Sequence, residues 1–251
     1  MTGALAAAYQ SGSQRARVVT ESWGESNLYC PNCSSPNLSR QRDNTKVIDF
    51  ICPSCEFRYQ LKGQKTRLGS SITDGAYEPT MSAFRNDEAP NYYFLHYDLE
   101  TWRIRNLLLI PSFAFPPSAI IKRKPLSPTA RRAGWIGCNF ALNRIPVDAR
   151  IAVVTESEIA PESEVREKFK RVKPLKEISV TQRGWTLDVL NAVRRLGKTE
   201  FTTTDAYVFE RELEQLHPDN RNIKAKIRQQ LQELRDRNLL LHVDRNRWRL
   251  P

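Results

Sequence analysis

Apolar residues first recur at helical spacing, at Ala16, Val19 and Trp23, which predicts a helix over residues 13–23 with a serine at its start able to cap it. The period then shortens to two. Residues 46–51 and 57–64 read as strands, the second with Phe57, Tyr59 and Leu61 on one face and Arg58, Gln60 and Lys62 on the other. Residues 69–75, bounded by glycines, are expected to form a loop. A short helix around Met81 and Phe84 and two apolar strands at 92–97 and 104–110 follow, then a stretch rich in Pro, Lys and Arg over 116–132 and another strand at 150–154. The charged, Pro-bounded segment 160–176 is expected to be a connector.

Beyond Gln182 the pattern becomes helix, helix, helix, hairpin. The helices are expected at 187–196, at 204–216 after the caps Thr202 and Thr203, and at 222–238, with a hairpin of 239–243 and 247–250. That is winged-helix order. The reading is therefore α+β, a mixed sheet flanked by helices over residues 1–180 followed by a winged helix over 181–251. No internal repeat or long low-complexity tract interrupts it.

Charge narrows the partners. Across 251 residues, 39 Lys and Arg against 28 Asp and Glu leave a net +11, which draws a protein towards polyanions. No apolar run approaches the roughly 20 residues of a membrane span, so nucleic acid is the expected partner rather than a membrane. The start of the chain lacks the basic leader of a secretory signal, and five cysteines are an odd total for a disulfide framework; both point to a cytoplasmic, reducing setting.

Four of those cysteines form two CxxC pairs, Cys30 with Cys33 and Cys52 with Cys55, separated by 18 residues. This spacing suits a tetrahedral Zn²⁺ site, structural because four thiolates leave no open position for substrate. Unbound thiols are the plainer alternative. His96, His217 and His242 are scattered without ligand spacing and read as core or surface.

Asp49 lies on the first strand of this zinc-flanked pair and Gln60 and Lys62 on one face of the second, so the three side chains can converge. Phosphodiester cleavage uses this set: oxygens of Asp49 and Gln60 to hold Mg²⁺, and a lysine to orient water and offset charge in the transition state. The solvated face of an antiparallel pair has the same pattern.

The segments SQRARVVTESW, YCPNC, DFICPSCEFRYQLK, DGAY, KPLSPTARRAGWIGCN, RGWTLDVL and NIKAKIRQQLQELRD resemble, in order, those of DpnI-like methylation-dependent restriction endonucleases. The resemblance covers residues 13–251. It implies a PD-(D/E)XK nuclease domain with a four-cysteine zinc site, a C-terminal winged helix, a bacterial or archaeal cytoplasmic setting, and cleavage of duplex DNA at GATC sites carrying N6-methyladenine. It places Asp49 and Lys62 at the metal-binding and lysine positions of the catalytic motif and makes Cys30, Cys33, Cys52 and Cys55 the zinc ligands. The chain departs from the pattern at Gln60, where the family has an acid; an amide supplies one oxygen and no charge, so Mg²⁺ should bind less tightly. A non-catalytic zinc and winged-helix protein that binds DNA is the alternative this substitution leaves open. Glu21 could add a compensating charge, although a solvated helix face is the simpler expectation for it.

Two basic regions are candidates for DNA contact. Arg131, Arg132 and Trp135 follow Lys122, Arg123 and Lys124 in a Pro- and Gly-punctuated loop; arginines read guanine edges, and an aromatic ring can wedge between bases. In the winged helix, residues 182–216 hold five basic against six acidic side chains, whereas 217–251 hold nine against four. With Ile223, Ile227, Leu231 and Leu234 as the buried stripe, Arg221, Asn222, Lys224, Arg228 and Gln229 are left for a major groove. Trp185 is expected to help form an apolar pocket for the N6-methyl group, and Arg245 and Arg247 on the wing to touch phosphate. A monomer is the expected state in solution.

Overall fold

A computed structural model describes residues 1–42 and 48–251. The elements of the first half are α1 (Gly12–Asn27), β1 (Ser39–Arg40), β2 (Phe50–Ile51), β3 (Arg58–Gln64), β4 (Ser71–Ala76), α2 (Tyr77–Arg85), β5 (Asn91–Tyr97) and β6 (Ile104–Ile110). There follow β7 (Ile120–Lys122), β8 (Gly137–Ala141), β9 (Ile151–Thr155), β10 (Glu158–Ile159), α3 (Glu162–Val172) and α4 (Val180–Arg194). The chain ends in β11 (Glu200–Thr202), α5 (Thr203–Ala206), α6 (Glu210–Leu216), α7 (Ile223–Asp236), β12 (Leu241–Asp244) and β13 (Arg247–Arg249). They form a mixed α+β protein divided into two compact units.

The first unit comprises Met1–Ser70, Glu88–Ser112 and Ala149–Lys170. Its seven-stranded sheet runs β1-β2-β3-β5-β6-β9-β10; β3 and β5 are parallel and every other pair is antiparallel. The central β5 is buried from Asn91 to Leu95, on both faces, which explains its unbroken apolar run. Helix α1 lies against β3 because small residues meet there. A Cβ on Gly24 would stand 2.7 Å from the Phe50 ring and 3.2 Å from Leu61, and one on Gly63 would stand 3.0 Å from Thr20.

The second unit comprises Ser71–Asp87, Phe113–Asp148 and Arg171–Pro251. It holds a small antiparallel sheet, β4-β8-β7, with an aromatic core in which Phe115 and Phe140 are 5.1 Å apart, and the winged helix with its sheet β11-β13-β12. Polar bonds join the two parts. Arg183 Nη1 donates to Asp87 at 2.7 Å, Ser118 Oγ to Asp188 at 2.6 Å, and Asn191 Nδ2 to the Asn143 carbonyl at 3.2 Å.

Several elements differ from the sequence reading; among them, α4 begins at Val180 rather than at residue 187, and the single helix expected at 204–216 is divided into α5 and α6 by a 3-10 turn at Tyr207–Phe209. Residues 69–75, expected as a loop, contain β4, which pairs with β8 more than sixty residues away; short Ser, Thr and Gly side chains suit an edge strand as well as a turn. The expected connector 160–176 contains α3, whose Val165, Phe169 and Val172 are fully buried at helical spacing that the surrounding charges obscure. Helix α1 continues four residues beyond Trp23. Of the strand expected at 46–51, Lys46 and Val47 lie outside the described residues. In the winged helix, Thr202 caps α5 in a reciprocal box with Asp205, and Asn222 is the N-cap of α7 rather than its first turn.

Candidate metal and catalytic site

Two tight turns carry the cysteines. The four sulphurs lie within 4.8 Å of one another, with Cys30 and Cys55 3.5 Å apart and Cys33 and Cys52 3.5 Å apart, and none is in a disulfide. A tetrahedron with Zn–S bonds of about 2.3 Å has edges of roughly 3.8 Å, so the cluster can hold a metal such as zinc. Backbone N–H groups point at the sulphurs: those of Asn32 and Cys33 at Cys30, of Ser35 at Cys33, and of Ser54 and Cys55 at Cys52. Burial works against ionisation of Cys52, but the N–H groups of Ser54 and Cys55 together with the neighbouring thiols of Cys33 and Cys55 outweigh it and bring the thiol down to about 6. Arg166, on α3, donates through Nε to the carbonyls of Cys30 (3.3 Å) and Cys33 (3.1 Å) and lies over the Tyr29 ring.

Beside this cluster, Asp49 stands just before β2 and is tied to β3 twice. Its N–H donates to the Tyr59 carbonyl at 3.0 Å, and its Oδ2 accepts the Leu61 N–H at 2.8 Å. Its carboxyl is raised above the ordinary carboxylate range, chiefly by burial; the Leu61 bond acts in the opposite sense, the Glu21 charge adds to the rise, and Lys62 and Arg17 reduce it. Asp49, Glu21, Lys62 and Arg17 thus share one electrostatic environment. Gln60 and Lys62 are half-buried on β3, alternating with buried Tyr59 and Leu61.

Glu21 does not lie on a solvated face, contrary to expectation. It is 6% exposed, held by Arg17 Nε at 2.5 Å and by Arg40 Nη2 of β1 at 2.9 Å. The close seating of α1 at Gly24 and Thr20 carries it there. A glycine inside a helical run, three residues after a glutamate, was the available signal.

The candidate DNA-contacting residues all fall in the second unit. Arg131 and Arg132 are exposed in a turn closed by Leu126 and Trp135; the Arg132 guanidinium lies 4.7 Å above the Trp135 ring, which packs on Gly137. Arg221 and Asn222 are exposed at the start of α7, and Arg245 and Arg247 on the wing. Lys224 and Arg228 also face partners within the protein, Glu210 at 3.4 Å and the Tyr207 hydroxyl at 2.9 Å, and Gln229 accepts from Lys226 at 2.9 Å. Trp185 is 7% exposed and stacks on His217 at 3.7 Å; His217 in turn meets Asp188 at 2.8 Å. Both rings line a cavity of about 590 Å³ with Pro117, Leu216 and Pro218.

No helix among the described residues is long and apolar enough to cross a membrane. The central sheet with its flanking helices, the four-cysteine cluster and the terminal helices with their hairpin define a mixed α+β protein that ends in a helix-turn-helix domain. The chain belongs to the DpnI family: the model of this Dam-replacing family matches residues 1–178, and that of the Dam-replacing HTH domain matches residues 181–249. Membership supports a methylation-dependent restriction enzyme.

Proposed function

We propose that the chain is an Mg²⁺-dependent endonuclease that cleaves duplex DNA at sites containing N6-methyladenine, GATC by family resemblance, acting as a monomer in the cytoplasm with Zn²⁺ as a structural ion. The observation that carries this reading is the placement of Asp49: a carboxylate whose ionised form burial disfavours, fixed to the strand bearing Gln60 and Lys62 and sharing the field of buried Glu21. Such a group gains most from a divalent cation.

In this reading Asp49 and the Gln60 amide oxygen hold Mg²⁺, which when bound polarises the scissile phosphate and lowers the pKa of the attacking water. Glu21 supplies negative charge that Gln60 does not. Lys62 orients the water and offsets charge on the phosphate as it becomes five-coordinate. Cys30, Cys33, Cys52 and Cys55 hold the zinc that fixes β2 against β3. Residues 1–180 form the nuclease portion and 181–251 the winged-helix reader. Arg131, Arg132 and Trp135 contact DNA; Arg221, Asn222, Lys224, Arg228 and Gln229 read a major groove; Arg245 and Arg247 touch phosphate; and Trp185 walls an apolar pocket for the methyl group.

The uncharged Gln60 favours one other reading, a protein that binds such DNA without cutting it. Incubation with methylated and unmethylated plasmid in Mg²⁺ separates the two. Cleavage of methylated plasmid alone is expected; tight binding with neither plasmid cut would leave only the binding role, and equal cutting of both would remove the methyl requirement.

A further inference from the structure

Tyr59 immediately precedes Gln60 on β3, and its side chain and main chain face different neighbours. The ring is completely buried, and its hydroxyl lies 3.2 Å from Cys30 Sγ. Its carbonyl accepts the Asp49 N–H at 3.0 Å, and it pairs with Phe50 on one side and Asn91 on the other. A metal-bound thiolate has no proton to give, so in a loaded site the phenol must be the donor. Such a bond draws charge from the sulphur, protects the thiolate from protonation and fixes its direction towards the metal.

We infer that Tyr59 is a positioning residue that couples the four-cysteine metal site to the catalytic cluster, holding the Cys30 thiolate through its hydroxyl and Asp49 through its main chain. The inference rests on the proposed metal occupancy and extends it. Filling the cysteine site sets the Tyr59 ring, and through it the register of the segment carrying Asp49; a phenylalanine at this position would fill the space but leave the thiolate without this donor. Arg166 serves as an internal contrast, because it bonds to the carbonyls of Cys30 and Cys33 and braces the turn's backbone.

The test uses the full chain with Co²⁺ in the cysteine site. Tyr59→Phe is expected to move the thiolate-to-cobalt charge-transfer band to lower energy, to speed cobalt loss to a chelator on the order of tenfold, and to weaken Mn²⁺ binding at Asp49 read by electron paramagnetic resonance. Arg166→Ala should speed cobalt loss with the band unmoved. Should Tyr59→Phe not fold, a fluorinated tyrosine at position 59, a stronger donor of nearly the same shape, should move the band to higher energy. Normal cobalt uptake with a band indifferent to both changes at position 59 overturns the inference alone. A wild-type protein that takes up no cobalt overturns the metal reading and the inference together.

Discussion

Gly24 of α1 faces Phe50 of β2 so closely that a single added carbon would stand 2.7 Å from the ring. Phe50 is fully buried and cannot swing aside. Gly24→Ala should therefore destabilise the protein by about 1–3 kcal/mol through overpacking, even though alanine favours a helix by about 1 kcal/mol. Urea denaturation measures the balance; a raised midpoint would show that α1 has room to lift, and with it Glu21.

Asp49→Asn should lower cleavage by on the order of 10²-fold or more while DNA binding persists. Filter binding beside a plasmid assay checks both, and undiminished cutting would remove Asp49 from the site.

The raised carboxyl of Asp49 has a consequence for pH. Protons compete with Mg²⁺ for it, so metal binding should fall away on acidification at a pH above the ordinary Asp value of about 3.9. Because its folded pKa exceeds its unfolded one, ionising Asp49 costs stability: that cost is absent below the unfolded value and grows as pH rises through the folded one. Asp49→Asn should flatten this slope in metal-free protein. Glu21→Gln should move the Asp49 titration, followed by carboxyl NMR, to lower pH; an unmoved titration would separate Glu21 from the site.

Gln60→Glu restores a charge beside Asp49 and should tighten Mg²⁺ binding about tenfold, or roughly 1.4 kcal/mol. Calorimetric titration decides it, and an unchanged affinity would mean that Gln60 does not face the ion.

Cys52→Ser removes one of four sulphurs from the cluster. A loss of about 2 kcal/mol or more, roughly 4–8 °C in melting temperature at this chain length, is expected, and chelation of wild-type protein should reproduce it. Coincident melting curves with and without chelator would rule out a structural metal.

Arg247→Ala on the exposed wing should weaken binding to all duplexes alike and reduce the salt slope by about one. A sequence-selective loss would instead make it a base-reading residue.

Much of this architecture was legible in the chain. The apolar runs Tyr92–Leu95 of β5 and Leu107–Ile110 of β6 and the stripe of Ile223, Ile227, Leu231 and Leu234 announce their elements because burial there is one-sided or complete. The cysteine spacing announced the cluster. What escaped depends on distant partners. β4 is a strand because β8 pairs with it, and its own polar sequence says little; α3 hides three buried residues among charges; and Glu21 looks like any surface glutamate until Arg40 arrives from another element. Gln230 illustrates the same limit, a fully buried amide on α7 that accepts the Thr186 hydroxyl at 2.6 Å.

The backbone passes between the two units at residues 70, 87, 112, 148 and 170. Scission at residue 180 would take Asp87, Ser118 and Asn143 away from Arg183, Asp188 and Asn191, exposing polar groups that the intact chain keeps satisfied. The terminal seventy residues are thus expected to be less stable when detached, and exchanging DNA specificity between relatives by grafting that stretch alone should work less well than a graft in which the interleaved segments travel with it.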